Sequence, residues 1–143
     1  MLKAATIILL IMLIFGGVYS LMLIFVPKVI LSSGFESTTG EKLEDIPKAS
    51  YLKVMVNEMM HMGALALSAV ISSIFILFAA FRKAQKWAWW TLLITGVIAW
   101  GYGLIENLIT VDMFNAILHL VGIVIFLVGL LLPVKEFFVK KAY

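Results

Sequence analysis

The sequence predicts an all-α membrane protein, a four-transmembrane-helix bundle in up-down-up-down order, and three observations carry that prediction. Hydrophobic residues fill 64% of the 143 positions and charged ones only 13%, with a mean hydropathy of +1.13, far from the composition of soluble domains. The apolar residues are gathered into four runs, each close to the roughly 20 helical residues that cross a hydrocarbon core. The breaks between the runs carry most of the charge. Four spans use up nearly the whole chain, so a single membrane domain over 1–143 is expected, without a separate soluble catalytic domain.

The first span is expected at about 4–26. It follows Lys3, is longer than the apolar region of a signal peptide, and has no small-x-small cleavage site before Pro27. Gly16, Gly17, Tyr19 and Ser20 are its small or polar interior points, of the kind that let membrane helices approach closely. The stretch 27–53 is polar, with serine, threonine, glycine and the mixed-charge run Glu41-Lys42-Leu43-Glu44-Asp45, and reads as a surface loop outside the membrane. Within it, Asp45-Ile46-Pro47 has the form of a helix start, a side-chain acceptor followed by proline in the first turn.

The second span, about 54–81, ends on the basic turn Arg82-Lys83-Ala84-Gln85-Lys86. Trp87, Trp89 and Trp90 open the third, about 87–109, as an interfacial aromatic belt. Thr110-Val111-Asp112 turns the chain into the fourth, about 113–132, which stops at Pro133 before a tail with Lys135, Glu136, Lys140 and Lys141.

Sorting the charges by side sets an orientation. Lys3, Arg82, Lys83, Lys86, Lys135, Lys140 and Lys141 face only Glu136 on one side, whereas Lys28, Lys42, Lys48 and Lys53 on the other are mixed with Glu36, Glu41, Glu44 and Asp45. The positive-inside rule then places both termini in the cytoplasm and the 27–53 loop outside. Spread in this way, the net charge of +3 speaks for topology and not for nucleic acid. The lipid bilayer is the expected partner, with a homo-oligomer or a larger membrane complex beyond it. Cysteine is absent, which removes disulfides, thiolate metal sites and a cysteine nucleophile. The chain also has no glycine-rich phosphate loop and no Gly-x-Ser-x-Gly.

Chemistry is concentrated in few residues. Glu58 and His61 are three apart and share a helix face, with Asn57 beside them. If the last turn is centred near Asp112, Glu106 and His119 are about level across the hairpin, because each helix rises about 1.5 Å per residue. Gly96, Ala99, Gly103 and Glu106 on the third helix, and Asn115, His119, Gly122, Phe126 and Gly129 on the fourth, repeat at the three-and-four spacing of a bundle seam. Asn57, Glu58, His61, Glu106, Asn107, Asn115 and His119 are therefore expected to line one outward-facing polar pocket that binds a small ligand, a proton or a metal ion.

Glu58, His61, Glu106 and His119 are the residues suited to a transition metal ion. Glu58-x-x-His61 is the local motif of carboxylate-bridged di-metal bundles, although it occurs once where that chemistry uses it twice. The bland alternative is a satisfied hydrogen-bond network that sets helix register. These readings correspond to a ligand-binding membrane protein, an accessory subunit of a larger membrane redox complex, or a metal-dependent membrane enzyme.

Several features together resemble the small four-helix membrane proteins of the DoxX-like kind. They are a first span ending at Pro27, Gly34-Phe35 in the loop, Phe81-Arg82-Lys83 leading into Lys86-Trp87-Ala88-Trp89-Trp90, and a last span closing on Gly129-Leu130-Leu131-Leu132-Pro133. The resemblance is architectural. It implies the four-helix fold far more than a function: such families are largely without an assigned activity, some members are associated with membrane redox complexes, and the resemblance does not extend to the Glu58–His61 pair.

Overall fold

The computed structural model of the protein describes residues 1–139, and of Phe114 only the backbone. Lys140 and Lys141 of the expected basic tail lie outside the described residues. Among the described residues six α-helices follow one another: α1 Leu2–Phe25, α2 Pro27–Thr39, α3 Ala49–Ala79, α4 Lys86–Ile109, α5 Met113–Leu131 and α6 Val134–Phe138. Short 3-10 turns occupy Leu43–Asp45 and Phe81–Lys83. The described residues contain no strand. α1, α3 with the turn after it, and α4 are long and apolar enough to cross a membrane, and the apolar part of α5, Asn115–Leu131, is shorter.

The connection expected as an outer loop is partly helical. Pro27 stands in the first turn of α2, where its missing N–H removes no helical bond. The hydroxyls of Ser37 and Thr38 donate to the Gly34 carbonyl at 2.9 and 2.8 Å, so that polar side chains stay with the helix instead of competing with it. Gly40 ends α2 at φ 73, in the left-handed region that favours glycine, and its N–H donates to the Glu36 carbonyl. None of the thirteen residues of α2 is buried. Asp45 does not start α3: its carboxylate accepts from the Lys42 N–H at 3.3 Å, which closes the 3-10 turn over Leu43–Asp45. α3 begins four residues later at Ala49, and Leu43 is the buried residue of that turn.

The chain divides into two compact units, one of residues 14–71 and the other of residues 1–13 with 72–143. In the first, α1 and α3 pack antiparallel through small residues. Gly63 of α3 lies so close to α1 that an added Cβ would be 2.8 Å from Leu23 Cβ and 2.9 Å from the Ser20 carbonyl oxygen, and Gly16 faces Val70. Ser20 is buried at this contact, and its hydroxyl donates to the Gly16 carbonyl at 2.7 Å.

In the second unit the core is built from Ala5 and Leu9 of α1, Leu77 of α3, Ala80 and Phe81 just after it, and residues of α4, α5 and α6. Trp89 is buried there, and its indole N–H donates to the Leu130 carbonyl at 2.9 Å. That carbonyl is in the last turn of α5, where no helical N–H is left to pair it. The sequence marks Trp89 as interfacial; the structure uses it to cap the end of a neighbouring helix.

α4 and α5 form an antiparallel hairpin whose register is set by rings lying on glycines. A Cβ on Gly96 would fall within the Phe126 ring, one on Gly122 against the Trp100 indole, and one on Gly103 against the His119 imidazole. Each of these pairs is equidistant from Val111, by 15, 11 and 8 residues. Asn107 and Asn115, four residues from Val111 on either side, complete the same line. The steps of four, three and four are those of a bundle seam, in which a missing side chain on one helix makes room for a large one opposite. Val111 turns the chain at φ 59, a left-handed conformation that a β-branched residue adopts at a cost.

Candidate functional site

The hairpin brings together three of the residues singled out from the sequence, Asn107, Asn115 and His119, and ties them to Asp112. Asp112 is the N-cap of α5: one carboxylate oxygen accepts from the Asn115 N–H at 3.1 Å, and the other from the Asn115 side-chain amide at 2.7 Å. Asn107 sits in the last turn of α4, and its amide nitrogen donates to the Gly103 carbonyl at 2.6 Å. The His119 ring lies between them, over Gly103 and edge-on to Trp100 with centroids 5.8 Å apart and planes at 67°. All the buried side-chain nitrogen and oxygen atoms among the described residues have partners.

Two contacts converge on one atom. His119 Nδ1 is 2.9 Å from the Asn115 carbonyl oxygen and 3.2 Å from the Asn107 amide nitrogen. A carbonyl only accepts, so the first bond needs a proton on Nδ1; an amide NH₂ only donates, so the second needs a lone pair there. The bond of Asn107 to Gly103 fixes which end of its amide faces the ring. The two bonds are therefore mutually exclusive. With the proton on Nε2 alone, Nδ1 accepts from Asn107 and the bond links α4 to α5. With Nδ1 protonated, the ring donates to its own helix and the link across the hairpin is lost.

Depth distinguishes this histidine. Eight residues from Val111 correspond to about 12 Å below the turn at about 1.5 Å per residue. Ionisable groups at such depth in a bilayer turn toward protein and are paired, and they often mark pathways for protons or ions. His119 is only partly exposed and has bonding groups on both helices. The titratable groups nearest to it along the two helices are Asp112, which reaches it through Asn115, and Glu106 and Tyr102, both exposed on α4.

The remaining candidates are placed elsewhere. Glu106 is exposed, and the α4 seam passes through Trp100 and Asn107 where the spacing argument has Ala99 and Glu106. The turn is centred on Val111, one residue earlier than expected, and the residue level with His119 is Gly103. Asn57, Glu58 and His61 lie on α3 in the other unit, and all three are exposed.

Sequence reasoning missed Asp112 and Trp100 as members of the cluster. Asp112 carries a legible signal, an aspartate directly before an apolar helix, three residues ahead of an asparagine. Trp100 shows its place only through the ring opposite Gly122. Among the described residues, no three His, Asp or Glu side chains form a group that could hold a metal ion.

Compared with protein-family models, with curated proteins and with solved structures, the chain matches none. Its reading therefore stands on the residues themselves.

Proposed function

We propose that this chain is a proton-responsive membrane protein in which His119 decides whether the α4–α5 hairpin is joined across its seam. The reading includes the finer topology, four helices in up-down-up-down order with both termini cytoplasmic, so that the turn over Thr110–Asp112 faces outside together with the 27–53 connection. The overall plan is the one that its resemblance to DoxX-like proteins implies. Of the three ligands the outward polar groups suggest, a proton fits best. The observation that carries this is the pair of mutually exclusive bonds at His119 Nδ1. Protonation exchanges a bond between helices for one within a helix, and so converts a charge into a change in hairpin packing.

The test uses the protein with His61→Gln, which leaves His119 as the one histidine of the two in the chain. Nitrogen-15 imidazole spectra in detergent should pass from an Nδ1 lone-pair form to the doubly protonated form as acid is added. The Asn107 side-chain amide should shift in step. Asn107→Ala should abolish any pH dependence of hairpin stability while the protein still folds. Spectra with Nδ1 protonated throughout, or an Asn107 resonance indifferent to pH, would remove the switch. Orientation is tested separately: Ser37→Cys should label with an impermeant reagent in intact cells, and Lys83→Cys should not.

A second reading, an accessory membrane subunit whose polar groups serve structure alone, is favoured by the closed bonding of Asp112, Asn115 and Asn107. It predicts the same hairpin with no response to pH. In that reading the exposed Glu58 and His61 are the groups available to a partner subunit or a second copy.

A further inference from the structure

At the opposite end of the α4–α5 hairpin, a basic and aromatic surface stands apart from the histidine cluster. Arg82 and Lys83 follow Phe81, which is fully buried against the Phe137 ring at 4.9 Å. Phe138, the next residue of α6, meets Trp89 and Trp90 edge-on at 5.2 and 6.1 Å, and Lys86 lies over the Phe138 ring at 5.8 Å. Arg82 lies over Phe78 at 5.5 Å. Lys86 is thus held on the Phe138 ring and Arg82 on the Phe78 ring, while Lys83 and Lys135 are two residues from Phe81 and Phe137, respectively, in the chain, and all four cations are exposed. Glu136 is the one carboxylate at this end among the described residues.

We propose that this surface binds the headgroup of an anionic phospholipid. The cations match a phosphodiester, and basic groups directly beside a membrane helix attract anionic headgroups. Rings half-exposed next to them, Trp90 at 50% and Phe138 at 38%, add an apolar seat at the depth of the glycerol and upper acyl chains, which a free anion in water would not use. The cation–ring contacts orient Arg82 and Lys86 along the aromatic surface, so less freedom is lost when a headgroup arrives. The occupant is thus a lipid and not a soluble phosphate, and the inference does not depend on the histidine switch.

Native mass spectrometry of the detergent-purified protein tests it, with phosphatidylglycerol and phosphatidylcholine of the same acyl chains. Retention of phosphatidylglycerol should exceed that of phosphatidylcholine and weaken about five-fold for each cation removed. The variant Arg82→Gln/Lys83→Gln/Lys86→Gln should lose it. A variant of equal charge change in the 27–53 connection, Lys28→Gln/Lys42→Gln/Lys48→Gln, should keep it. Should the first triple variant fail to fold, Lys86→Gln alone should weaken binding and Lys86→Arg should preserve it. Equal retention of the two lipids, equal loss in both triple variants, or full displacement by millimolar inorganic phosphate would each overturn the proposal.

Discussion

His119 and His61 have similar surroundings in the sequence: each is on an apolar helix, with a carboxamide or carboxylate one turn before it. In the folded chain they part. His119 lies over Gly103 in the α4–α5 seam and reaches groups on two helices, whereas His61 is exposed on α3. What separates them is the residue opposite. A glycine on α4 leaves room for an imidazole, and an asparagine one turn away supplies a bond; helical spacing along one strand of sequence contains neither fact. A partly buried histidine with bonding groups on two helices has energetic consequences that an exposed one lacks.

Overfilling the seam should give the largest effect. Gly103→Leu should cost about 1–3 kcal/mol or more, because the added side chain meets the imidazole and neither helix backbone can yield freely. Gly101→Leu, two residues away with nothing within 4 Å, should change stability by under about 0.5 kcal/mol. Unfolding in mixed micelles with rising SDS gives both values, and equal tolerance would place the seam on another face of α4.

Removing the ring comes next. His119→Leu should cost about 1–3 kcal/mol, since it leaves the Asn107 amide without one of its partners. His61→Leu should stay within about 0.5 kcal/mol. If the two histidines prove equivalent in the same unfolding assay, the contrast between them is wrong.

Two smaller changes sharpen the role of the turn. Asp112→Ala removes the cap of α5 and should cost about 1 kcal/mol, with the loss seen as faster amide exchange over the first turn of that helix. Val111→Gly should work in the other direction and stabilise the hairpin by roughly 0.5–1 kcal/mol, because glycine adopts the left-handed φ of 59 without the β-branched penalty. A destabilised Val111→Gly protein would mean that the valine side chain makes a contact worth more than its strain.

The amino-acid sequence by itself determined the helical class, the long apolar helices and the sites of the breaks between them, because hydropathy and length are local properties summed over each run. It also located Gly96, Gly103, Gly122, Phe126, Asn115 and His119 on contact faces, since three-and-four spacing is visible along one helix. It did not reveal α2, whose polar face reads as loop until serine and threonine hydroxyls are seen bonding back to the helix. Nor did it show which residues face each other across the hairpin. That depends on where the chain turns, and Val111, not Asp112, is the centre. A shift of one residue at the turn moves the partner of every seam position, so only the tertiary structure could pair His119 with Gly103 and Asn107 and leave Glu106 outside.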